Sequence, residues 1–157
     1  MAIRIIRAAC AIVLTVLVGG CVTTSDPVFK ETDKQDEIRG RVEAASTYLR
    51  QGQTDQAIVH LKKALEVDDR SPAVHDALAR VFGRTGEFEL AEDHFLKAIS
   101  YDADYSRARN NYAALLYRLK RYPEAMTQLE RVVADTLYDR RQEAFVSLGR
   151  CALKLNK

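Results

Sequence analysis

Residues 57–98 read AIVHLKKALEVDDRSPAVHDALARVFGRTGEFELAEDHFLKA, and this stretch decides the fold. It opens on Ala57 and reaches Ala91 after 34 residues; a third copy stands at Ala125, another 34 residues on. Four residues after each alanine comes a large apolar side chain, Leu61, Phe95 and Leu129, and seven after each comes Ala64, Ala98 or Val132. Twelve residues before each stands Ala45, Ala79 or Ala113, and nine before each stands Tyr48, Phe82 or Leu116. Five before each come Gly52, Gly86 and Lys120, where a tight turn is expected. Five position classes recurring in register with this alanine over three units mark a repeat.

The spacing has a physical cause. Two antiparallel helices approach closely only where small side chains face each other, and the bulky residue one turn later fills the space beside the crossing. The turn position favours glycine because a left-handed backbone costs it little. One helix pair cannot bury both of its apolar faces, so pairs stack into a solenoid. These residues together resemble a tetratricopeptide-repeat (TPR) array, which implies an all-α solenoid of antiparallel helix pairs. The expected A helices run near 38–50, 72–84 and 105–119, and the B helices near 54–67, 88–100 and 122–134. Ser71–Pro72 reads as an N-cap with proline in the first turn, and Pro123 as a second N-terminal proline.

Three repeats are thus expected over 37–137. A fourth unit begins in QEAFVSLGRCALKLNK, residues 142–157, as a half repeat or a terminal capping helix. Its apolar face is expected to comprise Phe145, Leu148, Ala152 and Leu155, opposite Glu143, Ser147, Arg150 and Lys154. Cys151 lies on or beside the apolar side and reads as a buried, inert thiol.

The first 20 residues are a different material. Arg4 and Arg7 precede an 11-residue apolar run, Ala8 to Val18. As a helix this run would span about 16 Å, roughly half of a bilayer's hydrocarbon core. It reads as a signal peptide over 1–20. The run ends in LVGGC, Leu17 to Cys21, which resembles the lipobox of bacterial lipoproteins; the resemblance makes Cys21 the lipid attachment site. An ordinary secretory signal followed by a chance cysteine is the alternative. Val22 after the cysteine, rather than Asp, implies sorting to the outer membrane, with the chain facing the periplasm. Residues 21–36 are poor in large apolar side chains and are expected to form a lipidated, flexible tether.

The signal removes two of the 24 basic residues and none of the 22 acidic ones, so the mature chain carries 22 of each. Near-neutral charge gives no support for nucleic-acid binding. No phosphate loop, nucleophile elbow or paired metal-ligand spacing is present in the sequence. No catalytic residue, metal, cofactor or small-molecule substrate is therefore expected. His60 and His94 fall one repeat apart and are expected on the solvated surface, with His75 on an A helix.

The chemistry that remains is binding. A TPR array implies a concave groove lined by A helices, and the repeat register places there Val42, Leu49, Arg50, Asp76, Arg80, Arg84, Asn110, Tyr117, Arg118, Arg150 and Lys154. One position reads Arg50, Arg84, Arg118, Lys154, a basic ladder suited to an acidic partner segment. Cations near helix C-termini also favour the helix dipole, and the two readings weigh equally. The first unit, with Val42, Leu49 and Tyr48, reads as the most apolar part of the groove. The carboxylate clamp of chaperone-binding TPRs needs Lys and Asn where this chain has Val42 and Ser46.

A closer resemblance adds to this. TTSDPVFKETDKQDEIRGR, TYLRQGQTDQAIVHLKKALEVD, NNYAALLYRLKRYPEA and DTLYDRR together resemble the pilotin lipoproteins of type IV pilus systems, the PilW/PilF kind. The resemblance implies a lipidated periplasmic adaptor that helps the pilus secretin reach or multimerise in the outer membrane. Members carry more repeats than this chain, which implies a shortened array. A generic TPR scaffold in another envelope assembly is the alternative.

Overall fold

The computed structural model describes residues 27–156; the expected signal peptide, Cys21 and the tether as far as Asp26 lie outside the described residues, as does Lys157. Among the described residues there are seven helices: α1 (Pro27–Arg50), α2 (Thr54–Val67), α3 (Pro72–Thr85), α4 (Phe88–Tyr101), α5 (Ser106–Arg118), α6 (Tyr122–Ala134) and α7 (Arg141–Lys154). Consecutive helices pack as the hairpins α1/α2, α3/α4 and α5/α6, and α7 lies on α6. The odd-numbered helices also touch in the order α1, α3, α5, α7, so they line one face of an all-α solenoid.

The register alanines sit where the helices cross. Ala57, Ala91 and Ala125 have no exposed surface, nor have Ala64 and Ala98 two turns further on. Leu61, Phe95 and Leu129 are buried beside them. The apolar interior forms two clusters, one under the first repeat and one running from Ala79 to Cys151, with Phe82 packed against both.

Each hairpin turns through one left-handed residue: Gly52 at φ 77°, Gly86 at φ 92° and Lys120 at φ 61°. The closing bonds repeat as well, from Gln53 N–H to the Tyr48 carbonyl, Glu87 N–H to Phe82 and Arg121 N–H to Leu116, at 2.9–3.0 Å. These satisfy carbonyls that the A helix would otherwise leave open. Lys120 holds a conformation that a side chain with a Cβ adopts at a cost.

Three features depart from the sequence reading. First, α1 begins at Pro27 rather than near 38, so residues expected to be a flexible tether are helical. Their lack of large apolar side chains gives no helical periodicity in the sequence. A helix already nucleated by packing extends cheaply, however, and the pair Arg41–Glu37 (2.6 Å) and the Gln35 amide donating to Glu31 (3.3 Å) run along its side. Second, α7 buries Ala144 and Cys151, while Phe145 stays half exposed beneath the Arg141 guanidinium, 5.1 Å from its ring centre. With α5 and α6 on one side only, α7 turns its smaller residues inward and leaves Phe145, Val146 and Leu153 outside. Burial pushes the Cys151 thiol up, in keeping with an inert role.

The third departure concerns the histidines. His75 is buried, and His60 and His94 are half-buried rather than solvated. His60 stacks on Tyr48 at 5.2 Å and His94 on Phe82 at 5.5 Å, each pair lying within one repeat. His75 Nδ1 and His94 Nδ1 are 2.9 Å apart, and His75 Nε2 lies 2.9 Å from the Asp69 carbonyl oxygen. A carbonyl only accepts, so His75 Nε2–H donates to it. In the Nε2–H tautomer, His75 accepts at Nδ1 from His94 Nδ1–H. Burial, and secondarily the neighbouring His75 and Lys97, hold His94 down at about 4.

Two predictions follow from this packing. Gly86→Ala should destabilise the fold by about 1–2 kcal/mol in urea unfolding, and Lys120→Gly should stabilise it by about 0.5–1 kcal/mol, because only the second relieves a left-handed Cβ. His94 is neutral in the fold and titrates near 6.5 when unfolded, so its contribution is complete above pH 6.5 and drains away as pH falls towards 4. Thermal unfolding of His94→Gln should therefore change less with pH across that window than the parent chain does.

Candidate functional site

The face formed by α1, α3, α5 and α7 is held together by side chains that reach one repeat forward or back. Arg80 Nη2 on α3 donates to Ser46 Oγ on α1 at 3.2 Å. Arg80 Nε lies 3.5 Å from Asp76 Oδ2, and Asn111 Nδ2 on α5 donates to Asp76 Oδ1 at 2.8 Å. Asp76 is only 2% exposed, and desolvation raises its carboxyl above the usual range despite Arg80 and Asn111 beside it. Arg118 Nη1 donates to the Gly83 carbonyl at 2.9 Å, and its guanidinium lies 5.0 Å from the Phe88 ring centre. The chain Ser46–Arg80–Asp76–Asn111 is a polar spine across three A helices.

The structure divides the expected groove residues into two groups. Leu49 belongs to the buried core of the first repeat, Val42 packs against that core, and Tyr48 is taken by His60. The first unit therefore supports the groove from beneath rather than opening an apolar pocket. Asp76 and Arg80 are anchors of the spine. Arg50 is exposed and donates to Thr47 Oγ1 at 2.9 Å. Arg84 and Lys154 are exposed. Arg118 is also exposed, but it carries the two structural contacts already described, so the basic ladder is not four equivalent free cations.

Asn110, Tyr117 and Arg150 are brought together. They line a cavity of about 250 Å³ between α5 and α7, floored by Ala113, Leu129 and Cys151. Arg150 lies 5.2 Å from the Tyr117 ring centre. Asn111, Arg140 and Ser147 complete the walls, and the repeat register had not singled out this set. Arg140 pairs through two nitrogens with Glu143, whose carboxyl is held below the usual range by that contact. Arg140 comes from DTLYDRR, the connection before α7. The departure of that segment from the repeat pattern was the available signal. Among the described residues no group of three His, Cys, Asp or Glu side chains is placed to hold a metal ion.

Two family models, both described as tetratricopeptide repeat, match residues 38–81 and 77–139. The type IV pilus assembly protein PilF of Pseudomonas aeruginosa is 42% identical over 154 residues, covering 97% of this chain and 61% of PilF. This chain thus spans about three fifths of the length of that relative. The solved structure of Pseudomonas aeruginosa PilF matches with a TM-score of 0.77 at 38% identity, covering 80% of this chain and 56% of the other. PilW, a widely conserved type IV pilus biogenesis factor, matches at 0.71 and 25% identity, covering 76% and 55%. Tetratricopeptide repeats thus occupy residues 38–139 of the chain, which is similar to the type IV pilus biogenesis proteins PilF and PilW.

Proposed function

We propose that this protein is a pilotin: a lipid-anchored adaptor at the periplasmic face of the outer membrane that supports localisation or multimerisation of the secretin in type IV pilus biogenesis. The observation that carries the reading is the 42% identity to PilF across 97% of the chain. It extends beyond residues 38–139, which the repeat models cover. The role is binding rather than catalysis, through the face that α1, α3, α5 and α7 present. Cys21 supplies the anchor, and the LVGGC segment supports that assignment. Among the described residues no helix is long and apolar enough to cross a membrane.

Two experiments test the two halves of this reading. Cys21→Ser should leave the fold intact, with unchanged circular dichroism, while moving the protein from the outer-membrane fraction to the soluble periplasm. A variant that still sediments with outer membranes overturns the anchor. Deleting the gene should abolish heat-resistant secretin multimers and piliation, and re-expression should restore both. Normal multimers in the deletion strain would point instead to another envelope assembly.

A further inference from the structure

We propose that the cavity between α5 and α7 binds a carboxylate side chain of an extended acidic segment of the protein partner, and that the hollow between α3 and α5 takes a second. The inference rests on the adaptor reading only in supposing that the concave face meets a protein.

Two adjoining hollows lie along that face. The α5/α7 cavity measures about 250 Å³, and beside it is a hollow of about 180 Å³ between α3 and α5, floored by Ala79, Gly83, Phe95 and Leu115. Asn111 and Ala114 border both, so the two form one continuous path. Their floors are small or apolar and their rims are cationic: Arg80 and Arg118 on one, Arg140 and Arg150 on the other.

The charges on this face do not cancel internally. Among the described residues Arg80 faces Asp76 and Arg140 faces Glu143, but Arg84, Arg118, Arg150 and Lys154 have no carboxylate within ion-pair distance. Glu143 is the only acid lining the α5/α7 cavity. Its two bonds engage Arg140 Nε and Nη2, which leaves Nη1 of the fork available. Arg150 is steered by the Tyr117 ring. Asn110 and Ser147 add uncharged donors on the same walls.

A carboxylate is the ligand that such a set recognises: a guanidinium donates to it in a fork, and amide and hydroxyl groups complete its shell. Leu129 and Ala113 give its methylenes an apolar bed. Adjacent A helices stand about 10 Å apart, and an extended chain in the polyproline II conformation advances about 3.1 Å per residue and returns its side chains to the same side every three residues. Acidic residues three apart would thus reach both hollows together. A helical segment would place residues three apart only about 4.5 Å from each other along its axis, too close to span the two.

Amide NMR of the isotopically labelled full chain in detergent, titrated with a short Gly/Ser peptide carrying two glutamates three residues apart, tests this. Its twin carries glutamine at both places. The glutamate peptide should shift amides around Asn110, Ser147 and Arg150, and the twin should bind about tenfold or more weakly, as expected for loss of a charge-assisted contact. Arg150→Gln should weaken the glutamate peptide by a similar factor, while Lys62→Gln, an exposed position on α2 away from both hollows, should leave it unchanged within about twofold. Equal binding of the twin, shifts confined to other surfaces, absence of binding, or an Arg150→Gln chain that binds undiminished each overturns the proposal. Unfolding of Arg150→Gln would be seen in its own spectrum, and Ser147→Ala then gives the same reading. The outcome is separable from the adaptor role: normal secretin multimers in a deletion strain refute that role and leave the peptide result standing.

Discussion

Close contact between the two helices of each repeat rests on alanines that have no room to be anything larger. Ala57, Ala91 and Ala125 are fully enclosed, and Ala45, Ala79 and Ala113 lie across from them with almost no exposed surface. Had any carried a long side chain, the helices would stand further apart and the leucine or phenylalanine one turn on would lose its contacts. The hairpin turn, the stacking of pairs and the alignment of A helices along one face all follow from that approach. The polar spine follows too, because Arg80 and Asn111 reach their partners only if neighbouring A helices are held at a fixed distance.

The repeat was plain in the sequence because a close crossing needs small residues at set intervals, and three units repeat the demand. Apart from the start of α1, the helix boundaries lie within a residue or two of the expected ones for the same reason. The missed features answer to other forces. The extension of α1 is a polar helix carried outward by cooperativity, with no apolar periodicity to announce it. The histidines looked like surface residues because histidine is usually half exposed. The informative pattern was their pairing with Tyr48 and Phe82, twelve residues upstream in two successive repeats. Periodicity points Phe145 inward, but among the described residues α7 packs against α5 and α6 alone and Phe145 stays half exposed.

The site was half legible. Register alone named Asn110, Tyr117 and Arg150, but it could not distinguish groove residues that serve the fold from those left to serve a partner. Arg80, Asp76 and Arg118 hold the face together, and the two arginines also rim the hollow between α3 and α5. Arg140 and Ser147 matter because the connection before α7 and the rotation of α7 bring them to the cavity, and neither is set by the repeat.

The cross-repeat bonds also give the molecule an uneven mechanical character. From α1 to α5, Ser46–Arg80, Asp76–Asn111 and Gly83–Arg118 act as tie-rods on the concave side. Among the described residues no side-chain hydrogen bond joins α5 to α7; apolar packing and the stacking of Arg150 on Tyr117 hold them instead. Curvature is therefore stiff over the first three helices of the face and compliant at the last. A load applied to α7 would bend the array at its softest joint, which is where the α5/α7 cavity lies.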